Sequence, residues 1–190
     1  GVFVGSGGLS TNGGAIHITG TGGVTGVWLY GGDVVSNVGN IVVNGVGTTY
    51  GVEIWDNLVS SGAGSLRVSG EATDDFSNAT GVQLRDAALA SSSGEISVVG
   101  AAQYGAGVVF ASTGLGSRVS TQSGAISVNS TGLTGLNVAD VPLTTDTGDI
   151  TLEGHALGNG FGVYVGAGGL SSNGGDITLI CSSGSMTGVW

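Results

Sequence analysis

Positive charge is nearly missing from this chain. Its 190 residues include three basic side chains, all arginine (Arg67, Arg85 and Arg118), against 13 acidic ones, for a formal net charge of −10. Phosphate recognition needs clustered cations, so nucleic acid and anionic membrane are poor partners. Cysteine is equally scarce. Cys181 is the only one, so no internal disulfide can form and a free, partly buried thiol is expected. No apolar run reaches the length of a membrane span, which argues against membrane insertion. No stretch carries helical periodicity without a glycine interrupting it, so helix is not the main structure.

Motifs of catalysis and metal binding are also lacking. The two histidines, His17 and His155, fall in distant parts of the chain, His17 facing out of a strand and His155 in the connection after Leu152. There is no His-x-x-x-His or Cys-x-x-Cys pair to hold a metal, no Gly-x-Ser-x-Gly elbow and no Walker loop. The Asp-rich nonapeptide of calcium-binding β-rolls is absent, Gly174-Gly175-Asp176 being only a fragment of it. No metal and no cofactor is expected.

What the chain does have is a repeat. Gly1-Val2-Phe3-Val4 returns at Gly26, Gly51, Gly81, Gly107, Gly135, Gly162 and Gly188, in steps of 25, 25, 30, 26, 28, 27 and 26 residues. A second element, Gly-x-(Ile/Leu)-x-(Val/Ile/Leu), begins 13 residues after the first glycine in six repeats, as at Gly14 to Ile18. The fifth repeat departs, with extra residues in the stretch from Ala111 to Ser117, where a loop would absorb them.

Both elements alternate with period 2, as half-buried strands do. Val2 and Val4 face one way and Phe3 the other; Ile126 faces in and Ser127 out. A third short element carries an apolar residue at Leu9, Val34, Val59, Leu89, Val119, Leu143 and Leu170. Two residues later every repeat carries a hydroxyl: Thr11, Ser36, Ser61, Ser91, Thr121, Thr145 and Ser172. Alternation turns these hydroxyls inward, where they can bond their own backbone at a tight corner.

Three short strands in about 25 residues, with glycine at the corners, specify an all-β parallel β-helix of about seven coils, stacked at roughly 4.8 Å. A propeller is disfavoured because its blades need about 40 residues. A hexapeptide helix is disfavoured because apolar positions do not recur every six. Gly 41 without a strict triplet is not collagen, and 40% hydrophobic residues are enough to fill a continuous core. Residues 1–190 are expected to form a single β-solenoid segment. Gly162 to Ile177 matches Gly1 to Ile16 more closely than its neighbour, so a six-coil unit over 1–161 restarts at 162, and the segment is expected to belong to a longer tandem array.

The pattern Gly-Val-x-(Val/Leu), then Ser/Thr, then Gly-Gly-Asp-Ile-Thr-Leu, as in Gly162 to Leu179, resembles the β-helical repeat regions of filamentous-haemagglutinin-like exoproteins and other giant bacterial surface proteins. The resemblance covers nearly all of the chain. It implies a right-handed parallel β-helix, export to the cell surface or exterior, and a role in a filament, stalk or adhesin. It carries no catalytic residue onto this sequence.

The outward positions of the first element hold the most distinctive surface. Phe3, Trp28, Tyr30 and Trp55 gather on one face of coils one to three, and aromatics return at Tyr164 and Trp190. Such a row is a lateral protein contact or a platform for sugars. Trp55 and Arg85 fall on neighbouring coils, where a cation–π contact is expected. The strongest alternative is an enzyme-like carboxylate pair, Asp56 and Asp86, each five residues after its repeat glycine, with Asp140 further along the column. Without a supporting His or Lys these acids read as solvated surface. Ice binding would need an outward Thr-x-Thr ladder, which is not there. The sequons at Asn78 and Asn129 matter only in a glycosylating host.

The expectation is therefore a non-enzymatic structural module of an extracellular filament, stalk or adhesin. Its partners would be other copies, laterally or end to end, or glycans or a neighbouring cell surface. The alternative is a carbohydrate-binding or polysaccharide-cleaving β-helix.

Overall fold

The chain winds into three seven-stranded parallel sheets. In the computed structural model, residues 1–75, 78–113, 116–183 and 188–189 are described. The first sheet contains Val2–Val4, Thr25–Tyr30, Tyr50–Trp55, Thr80–Arg85, Ala106–Ala111, Thr134–Val138 and Val163–Val165. The second contains Leu9–Thr11, Val34–Ser36, Leu58–Ser60, Ala88–Ser91, Arg118–Thr121, Leu143–Thr145 and Leu170–Ser172. The third contains Ile16–Thr21, Ile41–Gly47, Leu66–Ala72, Ile96–Ala102, Ile126–Gly132, Ile150–Ala156 and Ile177–Ser183. Each strand pairs with its equivalent one coil away, so every coil contributes one strand to each sheet and the whole is a parallel β-solenoid.

Because stacking is in register, equal positions in successive repeats become columns. Val27, Val52, Val82, Val108, Leu136 and Val163 form one inner column; Ile41, Leu66, Ile96, Ile126 and Ile150 form another, all essentially inaccessible. Phe110 takes a place held by Leu29, Ile54, Leu84 and Val138 in other coils, and is fully buried there. The end coils differ only because one side has no neighbour. Leu9, expected to face in, is exposed at its edge, as are Ile177 and Leu179.

The inward hydroxyls build the second corner. Ser36 accepts the N–H of Gly39 at 2.9 Å and donates to the Gly14 carbonyl of the preceding coil at 3.1 Å. Ser91, Thr121, Thr145 and Ser172 repeat this relay, each accepting from the glycine three residues on and donating to the matching glycine one coil back. Ser61 differs, donating within its own coil to Gly64 at 2.6 Å. The relay satisfies backbone groups that the corner would otherwise strand.

The glycines of this corner are required by crowding. A methyl group at Gly39, Gly64, Gly94, Gly124, Gly148 or Gly175 would lie 1.9–2.4 Å from the carbonyl oxygen of the glycine one coil earlier. Among the described residues positive φ gathers at the first corner, at Gly8, Gly31, Gly116, Gly169, Asp56 and Asp86, with Gly62 in the relay corner and Gly22 and Gly23 in the third.

Strands of the third sheet run past the five-residue motif. His155, expected in a connection, lies inside Ile150–Ala156, and Cys181, expected beyond its strand, lies inside Ile177–Ser183. Cys181 pairs with Gly154 and joins the column Gly20, Gly45, Gly70, Gly100, Ser130 and Gly154. It is a free, partly buried thiol packed against the core.

Candidate functional site

The outer face of the first sheet carries the aromatic cluster. Val27 and Leu29 point into the core, and alternation sends Trp28 and Tyr30 outward. Register sets Phe3 against Trp28, Tyr30 against Trp55, and Trp55 against Arg85. Ring centroids are 5.1 Å apart for Phe3 and Trp28, 5.6 Å for Trp28 and Tyr30, and 5.6 Å for Tyr30 and Trp55. Interplanar angles of 56°, 47° and 80° make this a herringbone rather than a flat platform. The Phe3 ring also leans over Gly5, where an added methyl group would meet it at 3.1 Å.

The cluster thus crosses the face diagonally from coil one to coil four. It ends where the Arg85 guanidinium lies 4.7 Å from the Trp55 ring centroid. Phe3 is 60% exposed and Tyr30 42%, whereas Trp28, between them, and Trp55, between Tyr30 and Arg85, are partly buried.

Glu53 stands beside these rings, between Trp28 and Gln83 in its column. Burial raises its pKa above the usual carboxylate range, and attraction to Arg85 opposes that rise without cancelling it. Trp28 Nε1 and Gln83 Oε1 are buried with no hydrogen-bond partner among the described residues. A half-buried acid thus stands among rings and unpaired polar atoms.

Tyr164 lies five coils beyond Trp28 on the same sheet and does not join the cluster. Its ring is 6.1 Å from Phe161, a residue that the alternation of the sequence did not single out. Phe161 precedes the repeat glycine, the place of Thr25, Tyr50, Thr80, Ala106 and Thr134 in other coils. The signal was available in Tyr50, the only other aromatic at that position. Trp190 lies outside the described residues.

Asp56 and Asp86 follow strands paired in register and line one shallow depression of about 260 Å³ with Arg118. They nevertheless play different parts. Asp86 is tied to the next coil: the Thr113 N–H donates to Oδ1 at 2.6 Å and the Thr113 hydroxyl to Oδ2 at 2.7 Å. Ser112 Oγ donates to the same carboxylate at 3.4 Å. Asp56 is exposed, and its left-handed backbone suits a short polar residue at the turn. Beside it, Asn57 is a buried clamp that sequence reading missed. Its Oδ1 accepts the Gly31 N–H at 3.0 Å while its Nδ2 donates to the Gly32 carbonyl.

On the third sheet, His155 Nδ1 contacts Ser182 Oγ, and Asn129 Nδ2 donates to Glu153 Oε2 at 2.8 Å. His17 sits at the other end of the rod. Among the described residues no group of three metal-ligating side chains converges, and no helix is long and apolar enough to cross a membrane.

Compared with family models, curated proteins and solved structures, the chain matches none; its own geometry identifies it as an all-β parallel β-solenoid of seven coils.

Proposed function

We propose that the chain is a structural module of an extracellular bacterial filament, stalk or adhesin, and that it does no chemistry of its own. The observation that carries this reading is the continuous seven-coil stack with an exposed aromatic herringbone on one side. Exposed ring surface is costly in water, so a cluster of this size suits a contact. The contact proposed is lateral, between rods, with Phe3 and Tyr30 foremost. The resemblance of the repeat to filamentous-haemagglutinin-like exoproteins supports the same reading and adds right-handed winding and a cell-surface location.

Catalysis is the rival reading, because Asp56 and Asp86 share a depression with Arg118. The hydrogen bonds from Ser112 and Thr113 favour a corner-fastening role for Asp86 instead. Sedimentation and electron microscopy of the parent and of a Trp28→Ser, Trp55→Ser double variant test the proposal. The parent should bundle and the variant should not, with circular dichroism unchanged. Equal bundling would remove the aromatic contact from the reading. Polysaccharide cleavage abolished by Asp56→Asn and Asp86→Asn would overturn it in favour of an enzyme.

A further inference from the structure

The first sheet holds a second feature on the same face, away from the herringbone. Side-chain size falls along the column Trp55, Arg85, Ala111 and Ala139 to Gly166, and the Phe161 and Tyr164 rings of the neighbouring columns stand beside its small end. The resulting recess, of about 330 Å³, is lined by Thr134, Asn137, Ala139, Phe161 and Tyr164. Its chemistry is specific. Two rings form one wall, Thr134 and Tyr164 each bring a hydroxyl and Asn137 a carboxamide, and among the described residues no charged side chain lines it. Asn137 Oδ1 is buried with no hydrogen-bond partner among the described residues.

We propose that this recess holds one ring of a neutral polysaccharide lying along the rod. A sugar ring has a C–H face, which packs on aromatic rings, and hydroxyls, which pair with amides and alcohols. An acceptor withdrawn from water without a donor is costly. Asn137 lines the recess, so a ligand hydroxyl that reaches its amide supplies the donor that this oxygen lacks. A purely apolar ligand leaves it unpaired. An acidic sugar finds no cation in the recess and meets a chain of net charge −10. The recess is at the low end of ligand-pocket volumes, which suits one ring of a longer chain.

The proposal rests on the adhesin part of the reading above and gives it a ligand class. Saturation-transfer NMR and titration calorimetry on the full chain, with neutral oligosaccharides of glucose, mannose and N-acetylglucosamine and with oligogalacturonate as the acidic control, test it. At least one neutral series should bind and the acidic one should not. Ala139→Arg, which fills the recess, and Asn137→Leu, which removes the amide, should each weaken binding about tenfold or more, the equivalent of roughly 1.4 kcal/mol. Melting temperature serves as the check on folding. No transfer from any neutral series, equal binding of the acidic one, or binding that survives Ala139→Arg would overturn the proposal. The Trp28→Ser, Trp55→Ser variant separates the two readings: it should lose bundling and keep saccharide binding. Bundling by the parent without saccharide binding would sink the recess alone.

Discussion

The guanidinium of Arg85 lies 4.7 Å from the ring centroid of Trp55, one coil away and in register with it. The same cation attracts Glu53, so Arg85 both ends the aromatic cluster and steadies the acid beside it. A double-mutant cycle with Arg85→Gln and Trp55→Leu should return a coupling of about 0.5–1 kcal/mol, the usual worth of a partly exposed cation–π contact. Additive losses in chemical denaturation would show that the contact contributes nothing.

Glu53 should make stability depend on pH. Its folded pKa is raised, so between the unfolded and folded values the folded chain binds more protons than the unfolded one. Its contribution is therefore most favourable below the ordinary carboxylate range and is lost as pH rises through the raised value. Glu53→Gln removes the ionisation. The melting temperature of the variant relative to the parent should rise between about pH 4 and about pH 7. A constant difference across that range would contradict the buried-acid assignment.

Facing decides the cost of a charge. Ile126 is fully buried and Ser127 is on the outer face. Ile126→Asp should lose several kcal/mol by burying an unpaired charge, and Ser127→Asp less than about 0.5 kcal/mol. Calorimetric melting of the two variants checks this, and equal losses would refute the register.

These columns were legible before the structure because in-register stacking turns a sequence offset of one repeat into a spatial neighbour. For that reason the inner columns, the inward hydroxyls and the Arg85–Trp55 pair were all foreseen. Phe161 was not, because the chain bends just before Gly162 and alternation does not carry across a bend. His155 and Cys181 were placed outside their strands because a glycine at the fifth position resembles a stop. Gly20, Gly45, Gly70, Gly100 and Gly154 instead allow close approach, since a methyl there would lie 1.8–2.1 Å from a carbonyl oxygen of the first-sheet strand that follows. The capture of Asp86 depends on how Ser112 and Thr113 turn back, which no periodic pattern encodes.

The hydroxyl relay should be worth more than its exposure suggests. Removing the Ser36 hydroxyl leaves the Gly39 N–H and the Gly14 carbonyl without that partner. Ser36→Ala is expected to cost about 1–3 kcal/mol by denaturant titration. A loss no larger than that of an exposed Ser→Ala change would mean that water replaces the hydroxyl.

Asp56 and Asp86 share a backbone conformation but not a role. Asp56→Gly should change stability by less than about 0.5 kcal/mol, because glycine accepts positive φ and only an exposed carboxylate is lost. Asp86→Gly should cost about 1–2 kcal/mol, because the bonds from Thr113 go with it. Matching losses from the two variants would remove the distinction.

The relay corner also gives the rod a back and two fronts. From each hydroxyl to the start of the next strand the step never varies, as from Thr11 to Ile16, Ser91 to Ile96 and Ser172 to Ile177. The long excursions emerge at the other two corners, between Ala72 and Thr80 and between Ala111 and Arg118. One edge therefore keeps a single connection length from end to end, while the differences in coil length fall on its two companions. Residues added at either of the other two corners would leave the register of the relay edge, and of the columns on both sides of it, unchanged.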